Sequence, residues 1–147
     1  MAAAVAVNAN EAVGGDPAFE IPSDPEYIKQ ASSKLIGALK GLELSDETLF
    51  DIKLSFEEAV INAMKHGNGF DKSLPVVIAY DLSGERLEIT VRDQGKGFDH
   101  SATPDPRSGT NLLKHGGRGI FLIRNLMDEV KYNDSGNEIK MIKFISG

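Results

Sequence analysis

Pro75-Val-Val-Ile-Ala-Tyr-Asp-Leu-Ser-Gly84-Glu-Arg-Leu-Glu-Ile-Thr-Val-Arg-Asp93 is the stretch whose reading decides the fold. Val76–Tyr80 is a continuous apolar run of strand length, the pattern of a strand buried on both faces. Arg86–Arg92 alternates polar and apolar residues strictly, the two-residue period of a strand with one wet face. Ser83-Gly84 between them is a turn signal, so the two runs pair as an antiparallel hairpin, and Asp93 stands where its second strand ends.

Upstream, the chain reads as two helices. Phe19-Glu20-Ile21 makes a first short strand, and Pro22-Ser23-Asp24-Pro25 punctuates it. Tyr27, Ile28, Ala31, Leu35 and Leu39 then recur at three- and four-residue steps up to a stop at Gly41, predicting a helix over 24–40. Ser45, with Asp46 and Glu47 behind it, offers an N-capping hydroxyl and two charges suited to the positive end of a helix dipole. From there Leu49, Ile52, Phe56, Ala59, Val60, Ala63 and Met64 share one face, and Gly67-Asn68-Gly69 ends the helix.

Downstream, six of the chain's 15 glycines fall between Gly95 and Gly119, with Pro104-Asp105-Pro106 among them, so this stretch reads as a long loop. Loops of that length in a compact domain are usually functional lids. Ile120–Met127 is apolar nearly all round and predicts a buried helix starting after Gly119. Val130–Asn133 and Glu138–Ile145 form a closing hairpin around Asp134-Ser-Gly-Asn137. Together the elements give an α+β two-layer sandwich, a mostly antiparallel mixed sheet covered on one face by helices.

The 147 residues fit one domain, read here as 17–147 behind a loose tail over 1–16. Hydrophobic residues at 41% and charged residues at 26% are ordinary for a globular protein. A net charge of −6 and a pI near 5.0 set the chain against nucleic acid and anionic membranes. With no cysteine, thiol catalysis, thiolate metal sites and disulfides are excluded together, which fits a reducing compartment, and the cytoplasm is expected. The apolar opening lacks the basic start of a secretory signal and the length of a membrane span.

Three clusters carry chemistry. On the Ser45 helix, Ser55, Glu58, Asn62, Lys65 and His66 fall on the side away from the apolar face, with Glu58 and Asn62 stacked four apart. Such a strip by itself is a solvated helix face. Asp93-Gln-Gly95-Lys-Gly97-Phe98 adds an acid at a strand end followed by glycines that let the backbone approach a ligand closely. Lys114-His115-Gly116-Gly117-Arg118-Gly119-Ile120 adds glycines directly before a helix, whose free N–H groups and dipole hold anions. No P-loop is present, the third glycine of a dinucleotide fingerprint is missing, and Asp93-Gln-Gly95 lacks the companions of a eukaryotic-type kinase. His66, His100 and His115 lack the paired spacing of a zinc site.

In this order, Glu58-Ala-Val-Ile-Asn62-Ala, Asp93-Gln-Gly95-Lys-Gly97-Phe98 and Gly116-Gly-Arg-Gly119 through Leu126-Met-Asp-Glu-Val130 resemble the nucleotide-binding boxes of the superfamily containing gyrase, the mismatch-repair ATPases and histidine kinases. More narrowly, the chain resembles the anti-sigma factor serine kinase family, on its small size, on His66-Gly67 and on the Leu-Met-Asp-Glu-Val ending of the last box. The resemblance runs from about residue 19 to the end.

The resemblance implies ATP and Mg²⁺ as cofactors, with Asp93 accepting from the adenine amino group and Asn62 giving its amide oxygen to the metal. Gly95, Gly97 and Phe98 lie along the base, while Lys65 and His66 border the same pocket. Gly117 and Gly119, with Gly116 and Ile120 beside them, present N–H groups to the phosphates under a lid formed by 99–115. Lys114, His115 and Arg118 all compete for the basic role at the terminal phosphates. Glu58 is implied as general base for serine phosphorylation of a small antagonist protein, the kinase otherwise silencing a sigma factor. Family members are similar to homodimers. The other functions to weigh are an ATP-responsive switch that controls a partner without phosphoryl transfer, and a detached histidine-kinase catalytic half. The latter needs a helical hairpin for which the roughly 20 residues before the first strand leave no room.

Overall fold

A computed structural model describes residues 6–7, 18–95 and 117–145. Among the described residues six strands form one sheet in the order β1-β2-β3-β4-β6-β5: β1 (Ala6–Val7), β2 (Ala18–Pro22), β3 (Pro75–Ser83), β4 (Arg86–Arg92), β5 (Glu129–Tyr132) and β6 (Glu138–Phe144). Every described pairing is antiparallel, which bears out the mostly antiparallel sheet expected from sequence; the parallel pair that a mixed sheet would add is not among the described pairings. Neighbours in sequence pair directly except where the helix Gly117–Leu126 and β5 intervene before β6 returns to β4. Within the segment read as a tail, Ala6–Val7 pair with Phe19–Glu20.

Register explains the core. Phe19, Ile78, Val91, Ile139 and Tyr132 stand opposite one another across five strands, and Tyr80, Ile89, Met141 and Val130 form the next row. These rows face the helices and join a single apolar cluster with Ala31, Leu35 and Leu39, with Ile52, Phe56, Ala59 and Val60, and with Ile123 and Met127. The alternate positions carry charges, including Glu88 paired with Arg86 at 3.0 Å and with Lys140 at 3.6 Å. A one-residue slip would exchange the two sets, which is what fixes the pairing. The turn at Gly84 adopts φ +60°, a conformation glycine takes without steric penalty.

The helices cover one face, as the α+β sandwich requires. A 3-10 turn (Pro25–Tyr27) leads into α1 (Ile28–Ala38), α2 spans Asp46–Asn62, and α3 spans Gly117–Leu126. The Ser45 hydroxyl accepts the Thr48 N–H at 3.1 Å, the cap the sequence predicts. In α3 Ile120 and Ile123 are buried, as is Met127 just beyond its end, whereas Phe121 is 44% exposed. The all-round apolar helix expected there is therefore amphipathic. Its C-terminal end is tied down: Lys143 Nζ donates to the Leu126 carbonyl at 2.6 Å and lies 3.5 Å from the Asp51 carboxylate on α2. Among the described residues no helix is long and apolar enough to cross a membrane.

Candidate active site

Helix α2 supplies the first wall. Glu58 and Asn62, one turn apart, are both half-buried, and Ile52, Phe56, Ala59 and Val60 hold the opposite side of the helix in the core. Ser55, read from sequence as part of the polar strip, is fully buried instead and faces no solvent. Beyond Asn62 the helix widens into a π-helical turn over Ala63–Gly67, on which Lys65 and His66 are exposed. The Asn68 N–H donates to the Ala63 carbonyl at 2.9 Å and the Phe70 N–H to the Met64 carbonyl at 2.7 Å. Gly69 and Phe70 both take left-handed backbone, at φ +59° and +57°, and turn the chain back on itself.

The second wall meets the end of that helix. Asp93 is 6% exposed, its N–H donates to the Asn137 carbonyl at 2.9 Å, and its Oδ1 accepts the Gly95 N–H at 3.0 Å. Burial pushes the Asp93 carboxyl above the usual carboxylate range, and the Gly95 N–H bond opposes that shift. A Cβ at Gly67 would overlap the Asp93 carboxyl carbon and Oδ2, and one at Gly95 would overlap the Gly67 carbonyl oxygen. Both glycines are thus required by close approach of the β4 end to the end of α2. The space left at Gly95 is taken by the protein's own backbone.

The third wall is the first turn of α3. A Cβ at Gly119 would lie 3.0 Å from Asn62 Nδ2 and 3.0 Å from Glu58 Oε2. This glycine therefore brings the first described turn of α3 directly against both polar residues of α2; the first N–H groups of a helix have no partner within it and its N-terminal end carries the positive dipole. Gly117 opens the helix and Arg118 lies in its first turn; Ile120 buries its side chain. Gly97, Phe98, Lys114, His115 and Gly116 lie outside the described residues, as does the whole of the expected lid over 99–115.

Two close approaches thus fall along one helix and the turn that continues it: Gly119 against Glu58 and Asn62, and Asp93 and Gly95 against Gly67. Two residues were missed by sequence reasoning. Asn68, read as part of a helix stop, is 4% exposed and accepts the Gln94 N–H at 2.8 Å. Asn137, read as a turn residue, holds the main chain of Asp93. Among the described residues no group of three or more His, Asp or Glu stands together as a metal cage. The arrangement instead combines one amide and one carboxylate with the first described turn of a helix; amide and carboxylate oxygens are ligands that hard cations accept, and helix N-termini accept anions.

A helix-covered antiparallel sheet with this site defines a histidine kinase-like ATPase domain, and the model of that family matches residues 21–143. The serine-protein kinase RsbW of Staphylococcus epidermidis is 33% identical over 135 residues, covering 86% of this chain and 85% of its own. That of Bacillus subtilis is 31% identical over 136 residues, covering 88% and 85%. The chain belongs to this family of serine-protein kinases. The solved structure of the RsbU and RsbW domains of a Mycobacterium tuberculosis protein shares the fold at TM-score 0.58 and 17% identity, over 88% of this chain and 32% of that one.

Proposed function

We propose that residues 17–147 form one ATP-binding domain that transfers the γ-phosphoryl group to a serine of an anti-sigma factor antagonist and, when not so engaged, sequesters a sigma factor. The observation that carries this reading is Gly119 lying against both Glu58 and Asn62, because it joins a carboxylate base, a metal-type amide and an anion-holding helix end. Asp93 reads the adenine amino group through the acceptor capacity its Gly95 bond leaves over. The N–H groups of Gly117 and Gly119 hold the phosphates, and Lys114, His115 and Arg118 are the candidates for the basic partner.

Asn62 would hold Mg²⁺ by its amide oxygen, and the ion, when bound, neutralises phosphate charge. A single protein ligand is enough, since Mg²⁺ keeps several waters and takes phosphate oxygens for the remainder. The fit is steric as well as chemical: glycine at 119 leaves open the space beside the Asn62 amide that a methyl group would fill. Glu58 accepts the proton of the serine hydroxyl as its oxygen bonds to the γ-phosphorus and the bond to the ADP oxygen breaks. General-base help of this kind is typically worth ~10²–10⁴ in rate, the rest coming from positioning. The chain acts as a cytoplasmic homodimer.

Incubation with labelled ATP and the antagonist tests this. Wild type should label a serine, and Glu58→Ala should lose ~10²-fold or more of the rate while still binding Mg-ATP. A Glu58→Ala protein that labels its antagonist at the wild-type rate removes Glu58 as the base. An antagonist left unlabelled by wild type leaves a switch that acts by binding alone.

A further inference from the structure

We propose that Asn68 is a positioning residue that sets where the Asp93 carboxylate stands relative to α2, and so governs how well the adenine is read. The proposal rests on the nucleotide site described above. The partners of Asn68 fix its orientation. The Gln94 N–H can only donate, so the atom 2.8 Å from it is Oδ1. The carbonyls of Leu74 and Pro75 can only accept, so the atom 3.1 Å from each is Nδ2, which also reaches Ser23 Oγ at 2.9 Å. The Ser23 hydroxyl in turn donates to the Leu74 carbonyl. One buried amide therefore ties the chain after β2, the entry into β3 and the chain after β4 to the π-helical turn that continues α2.

The effect on the site passes through Gln94. Asp93 is held on one side by its own N–H, bonded to Asn137, and on the other by the neighbouring Gln94 N–H, bonded to Asn68. Gly95 then folds back, its N–H on Asp93 Oδ1 and its Cα against the Gly67 carbonyl. Beside the Asn68 oxygen, this turn meets the end of the helix through packing of Asp93 and Gly95 on Gly67. The left-handed pair Gly69-Phe70 directly after Asn68 reverses the chain, and Leu74 and Pro75 return to meet the same side chain. Asn68 is thus placed to set the separation between the base-reading carboxylate and the phosphate end of the site at Asn62 and Glu58.

The test compares Asn68→Ala with wild type by calorimetric titration of two probes, Mg-ATP and Mg-tripolyphosphate. Tripolyphosphate has no base, so it reports the phosphate end alone. Loss of position at Asp93 should weaken Mg-ATP by about tenfold or more and tripolyphosphate by less than about twofold. Equal loss for both probes, or loss for neither, overturns the proposal. If Asn68→Ala does not fold, amide exchange of nucleotide-free wild type decides. Gln94 is exposed, so its N–H should be protected to the level of the β4 amides only through Asn68. Exchange of that amide at the unprotected rate overturns the proposal. Wild type that binds neither probe brings down the nucleotide site and this inference together, whereas failure of the ratio with wild-type binding intact brings down the inference alone.

Discussion

Gly119→Ala should separate the fold from the site. Gly119 is the third residue of α3, where alanine gains up to ~1 kcal/mol over glycine in helix propensity. Its new Cβ would sit 3.0 Å from both Asn62 Nδ2 and Glu58 Oε2 and 3.7 Å from Asn62 Oδ1. Comfortable contact needs ~3.5–4.0 Å, so both polar ends must retreat by roughly 0.5 Å. They are the far ends of rotatable side chains, and an off-rotamer shift costs ~0.5–1.5 kcal/mol. The two terms nearly cancel, so stability should stay within ~1 kcal/mol of wild type and the melting temperature within ~5 °C. Chemistry is less forgiving, since a displacement of ~1 Å can cost ~10²-fold in rate. Phosphoryl transfer at saturating Mg-ATP should therefore fall ~10–100-fold while scanning calorimetry records an ordinary melt. Wild-type transfer by the folded variant would refute the reasoning, as would a fall of more than ~10 °C in melting temperature, which would mean Glu58 and Asn62 cannot move.

Gly67→Ala drives a methyl group into the buried Asp93 carboxyl and should destabilise the protein by ~1–3 kcal/mol or more, read as a lower urea midpoint, with Mg-ATP binding lost. Lys143→Met leaves the Leu126 carbonyl and the Asp51 carboxylate without their shared partner, both ion-pair members being under 20% exposed, and should cost about 1–3 kcal/mol in denaturant unfolding. Desolvation raises the Asp93 pKa in the folded state, so the native protein holds that proton to higher pH than the unfolded chain does. The stability this group contributes is then fully present below its unfolded value and lost as pH rises through its folded value. Asp93→Asn removes that loss: its melting temperature relative to wild type should climb as pH is raised from below the carboxylate range to 7, and a difference independent of pH would contradict the assignment.

What could be read from sequence was local. The β3–β4 hairpin was legible because alternation and a Ser-Gly turn are encoded within 19 residues, and the α2 start because Ser45 caps its own helix. The partnership of Glu58 and Asn62 followed from their four-residue spacing. Ser55 was misplaced because a helical wheel records angle about one axis and not which neighbours pack there; α3 lies along α2, touching Glu58 and Asn62 through Gly119. Gly67 read as a stop signal, yet its role is set by Asp93, which reaches it through the sheet. Asn68 was hidden for the same reason: Ser23 and Gln94 lie 45 and 26 residues away along the chain. The π-helical turn at Ala63–Gly67 carried no sequence signal that periodicity could detect.

Convergence of α2, the end of β4 and the start of α3 on one nucleotide is tested most directly by following backbone amide resonances while Mg-ATP is added. The amides of Asn62, Gly95 and Gly119 should shift together along a single saturation curve, giving one affinity from three segments. Shifts confined to one segment, or saturation at different concentrations, would contradict a shared site.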